Sequence, residues 1–209
     1  MAFETWLGFV LASAAILILP GPTVLLLLSY ALSQGRRMAL ATGAGAVLGG
    51  FCAITLAMGG LGGVVLGSAA LFGVLKWVGV GYLWWLGLRL ILAASRAGLN
   101  LPVARGADLR RGFGHGLAVT AFNPKSVAFF IAFVPQFLDP ARAYLSQATV
   151  MVPSYVGLAI LNVLGYVFLA DRLRSYLVRP AVLAWITRAG GLSLIGMGVL
   201  TATVSRVSP

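Results

Sequence analysis

Residues 5–35 read TWLGFVLASAAILILPGPTVLLLLSYALSQG, 31 residues without a charge. About 20 apolar residues in a helix cross the hydrocarbon core of a bilayer, so this run is long enough to span. Its middle holds Leu19-Pro20-Gly21-Pro22-Thr23. Each proline removes a backbone donor and crowds the preceding turn, so the span must kink or divide at mid-depth. Met1-Ala2-Phe3-Glu4 offers no basic segment ahead of the run, and no soluble domain follows it. The run is therefore expected to be a retained first helix rather than a signal peptide.

The rest of the 209 residues agrees with a membrane environment. Hydrophobic residues make up 60% of the chain and charged residues 9%, against roughly 45–50% and 25% in soluble domains. Mean hydropathy is +1.00. The net charge of +11 would suggest nucleic acid in a soluble chain. Here the basic residues sit between apolar runs, where lipid head groups account for them, so lipid is an expected partner and nucleic acid is not. A single cysteine, Cys52, excludes an intramolecular disulfide and any CxxC pair, and a single histidine, His115, excludes a His-rich metal cage. No strand precedes a GxGxxG helix, and no Ser/His/Asp set stands at workable positions. Neither an enzyme active site, a metal nor a cofactor is expected.

Charge-free runs and breaks predict an all-α polytopic membrane protein of six transmembrane helices in a single domain. Residues 38–75 carry no charge but are too many for one span, and Gly59-Gly60-Leu61-Gly62-Gly63 is the expected break. Helix two is then about 38–58 and helix three about 71–94, with Lys76 and Arg89 snorkelling from its two ends. Residues 95–111 form the longest loop. Helices four, five and six run about 112–138, 144–170 and 181–204. Gly45/Gly49, Gly59/Gly63 and Gly112/Gly116 are read as small-residue faces for close helix packing. Trp77, Trp84, Trp85, Trp185 and Tyr82 are read as interface or packing groups.

Arg36, Arg37, Arg96, Arg105, Arg110, Arg111, Arg172, Arg174 and Arg179 cluster on one side of this arrangement. Lys76, Arg142 and Arg206 fall on the other. The positive-inside bias puts the odd-numbered loops in the cytoplasm and both termini outside.

The chain also repeats. A shift of 102 residues places Pro22 on Pro124, Gln34 on Gln136 and Ala39 on Ala141. A shift of 109 places Gly81 on Gly190, Leu83 on Leu192 and Gly87 on Gly196. Repeat one covers about 1–95, the basic loop 96–111 and repeat two 112–209. Three helices per half make the repeats inverted, a plan used by many transporters. Helices one and four are the Pro-broken pair, the second break reading Phe122-Asn123-Pro124-Lys125-Ser126. In both breaks a cap residue, Gly21 or Asn123, precedes a proline at the first helical position. A helix N-terminus left at mid-membrane suits a carboxylate; the alternative is a plain kink with neighbours satisfying the backbone.

Lys125 lies at the centre of helix four, where an ammonium costs about 2.5–3.5 kcal/mol on insertion scales. Glu4, Asp108, Asp139 and Asp171 all fall at span ends or in loops. Lys125 must therefore face water, carbonyls or an anionic ligand. The candidate substrate-binding set is Pro20, Gly21, Pro22, Thr23, Asn123, Pro124 and Lys125, with Arg188 and Gln136 as secondary candidates. His115 and Cys52 are read as an interfacial and a packing residue.

Leu19-Pro20-Gly21-Pro22, Lys76-Trp77-Val78-Gly79-Val80-Gly81-Tyr82-Leu83 with Gly87, Asn123-Pro124-Lys125 and Pro135-Gln136-Phe137 resemble the signatures of the lysine exporter (LysE/RhtB) family of amino-acid translocators. The likeness runs from the first helix to the last, with Gly190 and Gly196 in the expected place. It implies an exporter of amino acids or close derivatives in the bacterial cytoplasmic membrane, driven by the proton gradient. Basic-amino-acid exporters of that family can carry an acidic residue in the second helix, where this chain has Gly49-Gly50-Phe51-Cys52. The expected substrate is thus neutral or apolar, of the homoserine, threonine or branched-chain type. Its carboxylate would meet Lys125 and the helix ends near Pro22 and Pro124, and its ammonium the carbonyls or hydroxyls that the breaks release, Thr23 and Asn123 among them. No mid-membrane carboxylate is present to carry a proton, which leaves a desolvated Lys125 for that task. A homo-oligomer is compatible with the sequence. A divalent-cation exporter and a non-transporting membrane partner are the competing classes, the first disfavoured by the lack of intramembrane ligands.

Overall fold

The computed structural model describes residues 1–19, 21–67, 69–93, 108–172 and 180–203, and among these every regular element is a helix, without a strand. Helix α1 spans Phe3–Ile18, α2 Pro22–Gln34, α3 Arg36–Gly67 and α4 Ala69–Ala93. Helix α5 spans Leu109–Ala121, α6 Pro124–Ala132 with a 3-10 turn at Val134–Phe137, α7 Tyr144–Arg172 and α8 Pro180–Thr203. Two of the described helices are long and apolar enough to cross a bilayer, over Arg36–Gly60 and Tyr144–Ala170. The number rises to four if each of two bent pairs is one span: α1 with α2, bent by 51°, and α5 with Lys125–Phe137, bent by 42°. Large apolar side chains point outward from these helices, Leu56 at 77% and Leu161 at 67% exposure. Apolar surface on that scale is stable against lipid and not against water. The chain is an integral membrane protein.

Both bends fall where prolines interrupt the helical ladder. Gly21 precedes α2 in extended conformation with Pro22 at its start, and Asn123 precedes α6 in the same way with Pro124 following. The turn between α2 and α3 needs only Gly35, whose φ of +83° suits glycine.

The sequence-based expectations need three corrections. The cluster at residues 59–63 does not end a helix, because α3 runs on to Gly67. Away from water an apolar helix loses nothing by keeping its internal hydrogen bonds through glycines. Gly59 also has open space where a side chain would stand, so it is not a packing face. Helix α5 begins at Leu109, three residues before the expected start, because the Asp108 carboxylate accepts from the Arg110 N–H at 3.0 Å and caps it. Arg110 and Arg111 thus belong to its first turn. Most of the basic loop lies outside the described residues.

Helix α3 packs on α5 and α7, α4 on α8 and α6, and α1 on α7. Two of these pairings recur between the halves, while among the described residues those of α4 with α6 and of α2 with α3 do not. Helix α1 lies on α7 as α5 lies on α3, and α2 meets α7 as α6 meets α3. Between α3 and α5, a Cβ on Gly45 would strike the Phe113 carbonyl and one on Gly116 the Thr42 carbonyl. These are the close backbone approaches that the small residues were expected to provide. Between α4 and α8, a Cβ on Gly87 would meet the Gly191 carbonyl at 2.6 Å and Ile195, and one on Gly191 the Gly87 carbonyl at 2.5 Å and Ile91. The partner of Gly87 is therefore Gly191, while Gly81 and Gly196 have open space. The main core joins Phe9, Ile54, Phe129, Phe130, Met151 and Tyr155 around the second bend. A smaller one joins Leu27, Leu28, Ala39 and Val167 around α2.

Candidate functional site

The two bends meet. Thr23 in the first turn of α2 and Asn123 at the start of α6 are joined by a hydrogen bond from Asn123 Nδ2 to Thr23 Oγ1 at 3.0 Å. Thr23 Oγ1 also lies 3.1 Å from the hydroxyl of Thr120, in the last turn of α5. The other end of the Asn123 amide is used as well: Oδ1 accepts the N–H of Lys125 at 3.0 Å and caps α6. Asn123 therefore supports its own helix with one atom and holds the opposite break with the other.

Lys125 is 5% exposed. Its chain runs past Gly21, where an added Cβ would lie 3.1 Å from both Cε and Nζ. The ammonium donates to the carbonyl oxygens of Ile16 at 2.9 Å and Leu19 at 2.6 Å. Those carbonyls belong to the end of α1, where the chain breaks and the helical acceptors have no partner of their own. The partners of Lys125 are thus carbonyls, one of the three environments the sequence left open. The end of α1 also receives the Tyr166 hydroxyl of α7, on the Ile18 carbonyl.

A small cavity of about 40 Å³ opens beside these groups, lined by Thr23, Thr120, Asn123, Lys125, Ser126, Tyr155 and Asn162 with Ile16, Leu17, Val24 and Phe129. Leu17 and Asn162 also line a larger apolar groove of about 530 Å³ between α1 and α7. Of the expected residues, Thr23, Asn123 and Lys125 line the cavity, Gly21 touches Lys125, and Pro22 and Pro124 open the two helices. Pro20 lies outside the described residues. Gln136, in the 3-10 turn, and half-buried Arg188 are absent from the cavity lining. Thr120, Ser126, Tyr155 and Asn162 were not anticipated. Thr120 and Ser126 stand three residues either side of Asn123, a helical spacing that could have drawn attention to them; Tyr155 and Asn162 come from α7, and only the fold brings them in. His115 pairs through Nδ1 with the buried Tyr30 hydroxyl at 2.7 Å, away from the cavity. Among the described residues no cluster of His, Cys, Asp or Glu could hold a metal.

A membrane protein with two broken helices meeting at a buried lysine is the class these features define. The model of the LysE type translocator family matches residues 14–205. The chain belongs to that family. It is 32% identical over 208 residues to an uncharacterized membrane protein of Vibrio cholerae, covering 97% of this chain and 98% of the relative. It is 30% identical over 203 residues to the homoserine/homoserine lactone efflux protein of Salmonella typhimurium, covering 97% and 98%. A leucine efflux protein of Klebsiella pneumoniae is 28% identical over 138 residues, covering 64% and 63%. No solved structure matches significantly.

Proposed function

We propose that the protein exports a neutral or apolar amino acid across the bacterial cytoplasmic membrane, as one transmembrane domain of two inverted three-helix repeats. The observation that carries this reading is Lys125, a buried ammonium lying where two polar helix breaks meet. A zwitterion needs both charges met, and the site offers a cation, helix N-terminal N–H groups and helix C-terminal carbonyls within one small space. The substrate carboxylate meets Lys125 and the helix starts near Pro22 and Pro124. The two helix pairings that recur between the halves support the repeat, and the lengths of α4 and α8, 25 and 24 residues, support six spans. Transport follows from one half rocking against the other around the breaks. The odd-numbered loops face the cytoplasm, and the proton gradient drives export.

The names of the relatives, homoserine/homoserine lactone efflux and leucine efflux, support a substrate without a side-chain charge. The four acidic residues of this chain all lie at helix ends or outside helices, so a second positive charge on the substrate would find no carboxylate. The test is efflux from proteoliposomes preloaded with labelled homoserine, threonine, leucine or lysine, with a proton gradient imposed or collapsed. Neutral amino acids should leave several-fold faster than lysine. Equal lysine efflux would overturn the charge selectivity, and no efflux of any amino acid from correctly inserted protein would overturn the reading itself.

A further inference from the structure

A helix that ends at mid-depth presents the negative end of its dipole and unpaired carbonyls, which together favour a cation. Helix α1 ends this way, and the Ile16 and Leu19 carbonyls are held by Lys125 Nζ at 2.9 and 2.6 Å. The occupant is a primary ammonium, the same group that every α-amino acid carries. Two side-chain acceptors beside these carbonyls are already engaged. Thr23 Oγ1 accepts from Asn123 and is shared with Thr120, and Asn123 Oδ1 accepts from the Lys125 N–H. An ammonium has three donors to satisfy and no acceptor to offer in return. The remaining cavity of about 40 Å³ suits water rather than an amino acid. With Lys125 seated, the carbonyl site and much of the space beside it are taken.

We infer that the Ile16 and Leu19 carbonyls bind the α-ammonium of the substrate, and that Lys125 is a tethered occupant which the substrate displaces. This rests on the amino-acid reading above. The exchange replaces one ammonium by another, so the end of α1 keeps its hydrogen bonds before and after binding. The displaced lysine is then free to meet the carboxylate of the same substrate. When the substrate leaves, Lys125 returns and closes the site.

The inference predicts binding that does not depend on transport. The probes are 3-methylbutylamine, which is leucine without its carboxylate, and 4-methylpentanoate, which is leucine without its amine. Melting temperatures are measured in detergent for the wild type, Lys125→Met and Lys125→Gln across a concentration series of each probe. In Lys125→Met the carbonyl site is open, and the amine should raise the melting temperature by several degrees at saturation. Lys125→Gln keeps an N–H donor for the carbonyls and should show a smaller rise. It also carries the test should the Met variant fail to fold. The wild type should respond to neither probe alone, because Lys125 leaves the carbonyls only in exchange for an ammonium, and the acid should stabilise neither variant. An amine that leaves both folded variants unmoved, or that stabilises the wild type equally, overturns the inference. Amino-acid efflux without amine binding would leave the export reading standing and remove only the exchange. Amine binding in a protein that moves no amino acid would do the reverse.

Discussion

The ammonium of Lys125 lies 2.6 Å from the carbonyl oxygen of Leu19, a residue 106 positions earlier in the chain. A lysine at the start of one half-helix thus closes the end of another, and each break is completed by the other. This relationship makes the two bends one structure. Disturbing either should be felt at both.

Replacing Lys125 by Met should nearly abolish export while the protein still inserts. Two opposing effects act on stability. The change removes an ammonium that costs about 2.5–3.5 kcal/mol to hold in the membrane, but it leaves two buried carbonyls without donors at about 1–3 kcal/mol each. The net loss should be about 1–2 kcal/mol. Lys125→Arg should also transport poorly, because a planar guanidinium cannot take the place of a compact ammonium between two carbonyls. Initial-rate efflux per inserted molecule, with melting curves alongside, checks both; wild-type export by the Met variant would remove Lys125 from the site.

Asn123→Ala removes the cap of α6 and the bond to Thr23 together. The expected loss is about 1–2 kcal/mol of stability, with export reduced in protein that remains folded. Thr23→Ser keeps the accepting oxygen and should be close to wild type, whereas Thr23→Val should resemble Asn123→Ala. A Val variant as active as the Ser variant would show that the bridge between the breaks is not needed.

The glycines should divide by their surroundings rather than by their motif. Gly45→Ala drives a methyl into the Phe113 carbonyl and should destabilise by about 2 kcal/mol or more through overpacking. Gly59→Ala meets open space inside α3 and should be neutral, or stabilising by up to about 1 kcal/mol. Melting temperatures of the two variants in one detergent decide the matter, and equal effects would contradict the described packing of α3.

The distribution of Lys and Arg makes an orientation testable at two exposed positions. In a Cys52→Ser background, single cysteines at Arg110 and Ala141 should differ in intact cells treated with an impermeant thiol reagent. Position 141 should label and position 110 should require permeabilisation. The opposite pattern would invert the topology.

What the sequence determined by itself was what depends on neighbours along the chain. Polarity decides between water and lipid residue by residue, so the run at 5–35 declared a membrane helix without any tertiary information. A proline lacks its donor wherever it stands, so Pro22 and Pro124 placed both breaks, and Asn123 announced itself as a cap. Gly45 and Gly116 marked a close approach because nothing larger admits one. Tertiary structure decided what depends on groups far apart. Glycines at 59–63 looked like a break, yet lipid leaves an apolar helix no better hydrogen-bond partners than its own. The sequence could say that Lys125 needed a partner at mid-depth and could not say which. Its partners are backbone carbonyls, identical at every residue and therefore invisible in side-chain types; only the fold of α1 against α6 and α7 selects those of Ile16 and Leu19.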